Sequence, residues 1–153
     1  KKYTKLNPKY IVMHTKNPGS PFSIILANNP TDKDLEETAI FTACFSRAWR
    51  ENLKKTIIDI FLAEQITKNK SMKEGTFGVV GKINRKEVEL KLYLTEQKNN
   101  LRAVPQKISK AIAICPGNIN KEDFAEQIAI KLEIPKEEVL NALPTGKFKI
   151  VKF

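Results

Sequence analysis

The chain has 153 residues, 41% of them hydrophobic, and its 27 Lys and Arg against 17 Asp and Glu give a formal charge of +10. That is enough apolar material for a packed core, which excludes a globally disordered chain, and the length suits one domain or a domain with a small appendage. No apolar run approaches the roughly 18 residues of a membrane-spanning helix, and the basic start KKYTKLNPKY has no apolar stretch behind it, so it does not read as a secretory leader.

Tyr10–His14 (YIVMH) and Phe22–Ala27 (FSIILA) read as two short buried strands. Between them Asn-Pro-Gly-Ser-Pro is turn chemistry, because Gly19 permits positive φ and Pro18 and Pro21 cannot extend a ladder. Pro30-Thr31-Asp32 opens a long helix: Thr31 is a candidate N-cap, and Asp32, Asp34, Glu36 and Glu37 crowd the positive end of the helix dipole. The apolar face Ile40, Phe41, Cys44, Phe45, Ala48 and Trp49 extends that helix toward Arg50, Lys54 and Lys55.

Thr56–Leu62 and Gly75–Ile83 read as strands, and Val88–Leu94 (VELKLYL) alternates as a half-exposed one. Asn84-Arg85-Lys86 reads as a hairpin tip. QKNNLR at 97–102 and Pro105 mark a boundary, giving units over 1–104 and 105–153. The second unit holds a strand at Ala111–Cys115, a turn at Pro116-Gly117-Asn118, and a helix capped by Asn120. A short helix after Pro135 and a last strand at Phe148–Val151 complete it. The fold expected is α+β: a mainly antiparallel sheet with one long helix packed on it, and a small β-α-α-β C-terminal extension.

Catalytic patterns are missing. One His and two separated Cys, Cys44 and Cys115, do not supply a zinc site, and the two thiols read as buried and free in a reducing cytoplasm. Ser20 and His14 have no acid that the sequence can pair with them, and neither GxxxxGK[ST] nor GxGxxG occurs. The reading is a protein without catalytic residues, metal or cofactor.

Charge points instead to a polyanion. Residues 1–31 hold five lysines and no acid, and residues 65–86 hold six basic residues against Glu74, whereas 120–140 is acidic. A basic surface on a folded domain favours nucleic acid. Candidate contacts are the corner His14, Lys16, Gly19 and Ser20, whose N–H groups and hydroxyl could face a phosphate, and a rim of Lys68, Lys70, Lys73, Lys82, Arg85 and Lys86. Arg47 ends the helix beside Trp49, where either a base stacks or the indole belongs to the core. His14 has two readings as well: it faces RNA, or it only ties the turn together.

HTKNPGSPFSIIL (14–26), TAIFTACFSRAW (38–49), ITK (66–68) and GTFGVVGKIN (75–84), in this order, resemble the RNA-binding domain of NFACT proteins (NFACT-R). Family patterns fall on His14, Gly19, Ser20 and Pro21; on Phe45, Ser46, Ala48 and Trp49; on Ile66 and Lys68; and on Gly75, Thr76, Phe77, Gly81, Lys82 and Asn84. ICPGNINKEDFAEQIAIKL (114–132) and LPTGKFKIV (143–151) resemble the extension of archaeal-type members. Three departures stand out: the family's segment ahead of the histidine strand is missing, Lys16 replaces an acid, and the loop after Lys68 is shortened. With a first residue that is not Met, the first departure implies a chain cut from a longer protein or a lost first strand.

The resemblance implies a cytoplasmic, non-enzymatic RNA-binding module of ribosome-associated quality control of stalled translation. Its implied partners are tRNA, the large ribosomal subunit and an NFACT N-terminal domain in cis or trans, and no membrane. The competing reading is a protein-interaction module that docks a partner domain or ribosomal protein, with incidental RNA affinity.

Overall fold

The computed structural model describes residues 7–67 and 78–152. Chain order begins with β1 (Ile11–Thr15), β2 (Ser23–Ile25), α1 (Asp32–Cys44), α2 (Arg47–Arg50) and β3 (Lys55–Leu62). A 3-10 turn at Ala63–Gln65 leads to the short strands β4 (Ile66–Thr67) and β5 (Gly78–Val79), then to β6 (Asn84–Glu89). The remainder is β7 (Leu92–Gln97), β8 (Asn100–Val104), β9 (Ile112–Asn120), α3 (Lys121–Leu132), α4 (Lys136–Ala142) and β10 (Lys147–Lys152). Two four-stranded sheets form, β2-β1-β3-β6 and β10-β9-β7-β8, with β4 and β5 as a separate ribbon. Every pairing is antiparallel. The fold is a mixture of helices and antiparallel sheets.

One core joins the two sheets. Met13, Ile58 and Val88 from the first meet Leu92, Ile114 and Phe148 from the second, around Ala39, Ala43, Cys44, Trp49, Phe124 and Ile128 of the helices. Burial of this kind stabilises by about 25 cal/mol per Å² of apolar surface. Local chemistry sets the helix starts. Thr31 and Asp34 form a reciprocal capping box, Thr31 Oγ1 accepting from the Asp34 N–H (3.1 Å) and Asp34 Oδ2 from the Thr31 N–H (3.0 Å). Asn120 Oδ1 caps α3 by accepting from the Asp123 N–H at 2.8 Å.

Several expectations are corrected. The long helix is two helices: Ser46 is extended, its hydroxyl donates to Ala43 O (2.6 Å) and accepts from the Ala48 N–H (3.1 Å), so it ends one helix and caps the next. Lys55 then belongs to β3. VELKLYL is not one strand, because Leu90 and Lys91 carry the chain from the first sheet into the second. Val88, Leu90, Leu92 and Leu94 are all buried, so their period of two runs unbroken through the crossing and conceals it.

Asn84-Arg85-Lys86 lies inside β6 and is not a tip. A tip does occur at Lys98-Asn99, where both residues have positive φ and join Gln97 to its partner Asn100 in a two-residue hairpin. Pro116-Gly117-Asn118 stays within β9, which is kinked by a register shift opposite Lys147 and Phe148. A Cβ on Gly117 would lie 2.6 Å from Lys149 Cβ, so only glycine fits at that bulge. Of the strand read at 75–83, residues 75–77 lie outside the described ones; β5 is confined to Gly78–Val79, and Gly81 turns at φ +84°. Residues 105–153 supply β9, α3, α4 and β10, and their two strands pair into the sheet of β7 and β8 rather than forming their own.

Candidate nucleic-acid interface

The first sheet places the corner. Strands β1 and β2 pair as Ile11 with Ile25 and Met13 with Ser23, so the segment 16–22 closes one end of the hairpin. Its polar groups are largely turned on one another. The Ser20 hydroxyl accepts from the Thr15 N–H (2.9 Å) and donates to Pro21 O (3.2 Å). Gly19 O accepts from the Arg47 N–H at 2.8 Å, which joins the corner to the start of α2. The Arg47 side chain lies across Gly19: a Cβ there would stand 2.9 Å from Arg47 Nε and 3.0 Å from Arg47 Cβ. With φ at +102° as well, the position requires glycine on two grounds.

His14 is half-buried. Its Nδ1 lies 2.7 Å from Thr15 O and, since a carbonyl only accepts, donates there. Its ring rests 4.8 Å from that of Phe22. His14 also stands opposite Asp59 of β3, and Asp59 opposite Arg85 of β6, so the three side chains form a row across the face turned away from α1. Arg85 Nε donates to Asp59 Oδ1 at 2.8 Å. That bond uses one edge of the guanidinium, and its terminal nitrogens make no further hydrogen bond among the described residues.

The candidate residues therefore divide. His14, Lys16, Gly19, Ser20 and Arg47 come together at one corner, and Arg85 shares the His14 face two strands away. Lys86 is paired with Ile58 and so leaves the opposite face of β6, separating two cations that the sequence placed side by side. Lys82 is exposed in the link between β5 and β6. Lys68, Lys70 and Lys73 lie outside the described residues.

Trp49 belongs to the core: it is fully buried and donates Nε1–H to Lys147 O at 3.0 Å, so no base can stack on it. Two residues escaped the sequence reading. Asp59, the one acid in the apolar run TIIDIFL, was a visible signal. Gln65 was not: its side chain accepts from the Leu62 N–H and donates to Val80 O and Lys82 O, each at 2.8 Å, holding the Gly81 turn against the end of β3.

Among the described residues no group of three His, Cys, Asp or Glu could hold a metal ion, and no helix is long and apolar enough to cross a membrane. Cys44 is buried and its pKa is pushed far above the ordinary thiol value by desolvation, against a weaker lowering from the Lys91 backbone. It is an inert core thiol.

Residues 1–81, which include the corner and the whole His14 strand, match the family described as the NFACT protein RNA binding domain. The chain belongs to this family. The NFACT RNA-binding domain match ends before β6 begins, so β6 to β10, α3 and α4 lie beyond it. No curated protein matches the chain. A solved structure, the C-terminal part of the fibronectin/fibrinogen-binding protein from Streptococcus suis, is similar over 57% of this chain at 23% identity and a TM-score of 0.46. This NFACT-type chain covers 34% of that structure.

Proposed function

We propose that this chain is an RNA-contacting module without chemistry of its own, acting on tRNA or the large ribosomal subunit during quality control of stalled translation. The observation that carries this reading is the match of residues 1–81 to an RNA-binding domain family. The geometry supports one way of holding it. The Ser20 hydroxyl is engaged within the corner, so phosphates are met by the side chains of Lys16 and Arg47, both exposed, with Arg85 farther along the same face. An NFACT N-terminal domain is the expected neighbour in the assembled protein, and the cytoplasm the expected compartment.

Binding of tRNA and of separated ribosomal subunits across a salt series, with the Lys16→Ala/Arg47→Ala variant alongside, tests this. Removing one cation that neutralises a phosphate should flatten the log–log salt slope by roughly 0.7 to 0.9. Binding that ignores both salt and variant would sink the RNA reading and favour protein docking. One observation supports that second reading: exposed Phe22, Ile24 and Phe41, with Pro21 and Pro105, line a groove of about 470 Å³ beside the edge strand β2.

A further inference from the structure

The second sheet has an outward face, and its strands β7 to β10 lie beyond residues 1–81. Leu92 pairs with Ile114 and Ile150 with Ile114, and all three turn toward the core. The next row therefore turns outward, with Lys149 paired to Cys115 on β9 and Lys91 standing on the far side of that cysteine. Lys54, just before β3, closes the row. The three lysines and Glu89 line a cleft of about 200 Å³ with Cys115 in its wall. Burial raises the Cys115 thiol pKa, with Glu89 adding to it, while Lys149, Lys91 and Lys54 pull it down. Tyr93, the next outward residue on β7, lies half-exposed with the Lys91 ammonium 5.8 Å from its ring centroid.

We infer that this outer face is a second RNA-contacting surface, holding phosphates of a single strand on Lys54, Lys91 and Lys149 and stacking a base on Tyr93. Three cations against one carboxylate around one cleft set up a local positive potential that a polyanion relieves. Two strand steps of about 4.8 Å separate Lys91 from Lys149, so the pair can serve separate phosphates of one chain. A sheet that shows an aromatic ring among cations suits an unpaired strand, whose bases are free to stack. The inference rests on the RNA-binding reading but places Lys91, Tyr93 and Lys149 of the contact where the family match does not extend.

The test uses the whole chain and a fluorescein-labelled oligouridylate. On the unaltered protein, saturating oligouridylate should slow alkylation of Cys115 by N-ethylmaleimide several-fold, while Cys44 stays unreactive throughout. The Lys91→Gln/Lys149→Gln variant should flatten the salt slope by roughly 1.4, two phosphates at about 0.7 each. Tyr93→Leu should weaken binding about tenfold, with Tyr93→Phe close to the parent.

If neither oligouridylate nor tRNA binds the parent chain, the RNA reading falls and this surface with it. If RNA binds and Lys16→Ala/Arg47→Ala weakens it, yet Cys115 is unprotected and the Lys91/Lys149 slope is unchanged, this surface alone is overturned. Equal protection of Cys115 by inorganic phosphate would mark an ion site and likewise overturn the RNA assignment. Should a variant melt early, protection on the parent chain decides.

Discussion

Gly19 holds the corner and the second helix together at one atom's clearance. A methyl group there meets both left-handed backbone strain and the Cβ of Arg47, which cannot swing aside as the guanidinium can. Gly19→Ala should therefore cost about 1–3 kcal/mol, read as a lower urea midpoint, and should weaken RNA binding by displacing Arg47. An unchanged midpoint would show that the corner relaxes freely. Cys44 gives a pH prediction. Its folded pKa is raised above the unfolded value, so its contribution is complete below about pH 8.5 and is lost as pH rises beyond it, because only the unfolded thiol ionises. Stability should fall above about pH 8.5, and Cys44→Ala should flatten that limb. The turn character of the corner was legible from Gly19 and its flanking prolines. That the Ser20 hydroxyl points inward was not, because the choice between Thr15 N–H and an outside phosphate is made by tertiary closure of β1 on β2.

Helix ends follow local sequence more closely than strand partners do. The Thr31 box and the Asn120 cap are readable from residues three apart, and Thr31→Ala should cost about 1 kcal/mol. Ser46 does more, since it is 8% exposed and serves a buried N–H as well as a carbonyl. Ser46→Ala should exceed the Thr31→Ala loss, approaching about 2 kcal/mol, because it strands a buried donor; thermal melts of the two variants compare them directly. The β6–β7 crossing was hidden for the opposite reason. Periodicity reports which side chains are buried, and burial continues from Val88 to Leu94 while the hydrogen-bonding partner changes from β3 to β9. The two-residue hairpin at Lys98-Asn99 lacks the Asn-Gly signature that makes such turns visible.

At the scale of the molecule, the N-terminal sheet depends on residues far along the chain. Trp49 donates to Lys147 O, its ring lies 5.5 Å from Phe148, and Phe148 stacks on Phe124 at 4.9 Å. A chain ending at Val104 lacks all three of these partners and should not melt cooperatively; a sharp transition in that truncation would show that the first sheet folds alone. Trp49, Phe124 and Phe148 all lie in the stretches that made the family recognisable, but that they meet one another was not legible, because apolar residues in separate segments do not announce their tertiary partners. Trp49 is also the single indole of the chain, fully enclosed and pressed against Gly146. Its fluorescence should be blue-shifted and closed to acrylamide, and should redden only when the two sheets part. Arg47 stands two residues away on the same helix but is exposed, whereas the indole is fully buried, so its emission should stay constant as RNA is added. The protein thus carries an intrinsic reporter of folding that is silent to ligand, so a binding defect and a folding defect can be told apart in one cuvette.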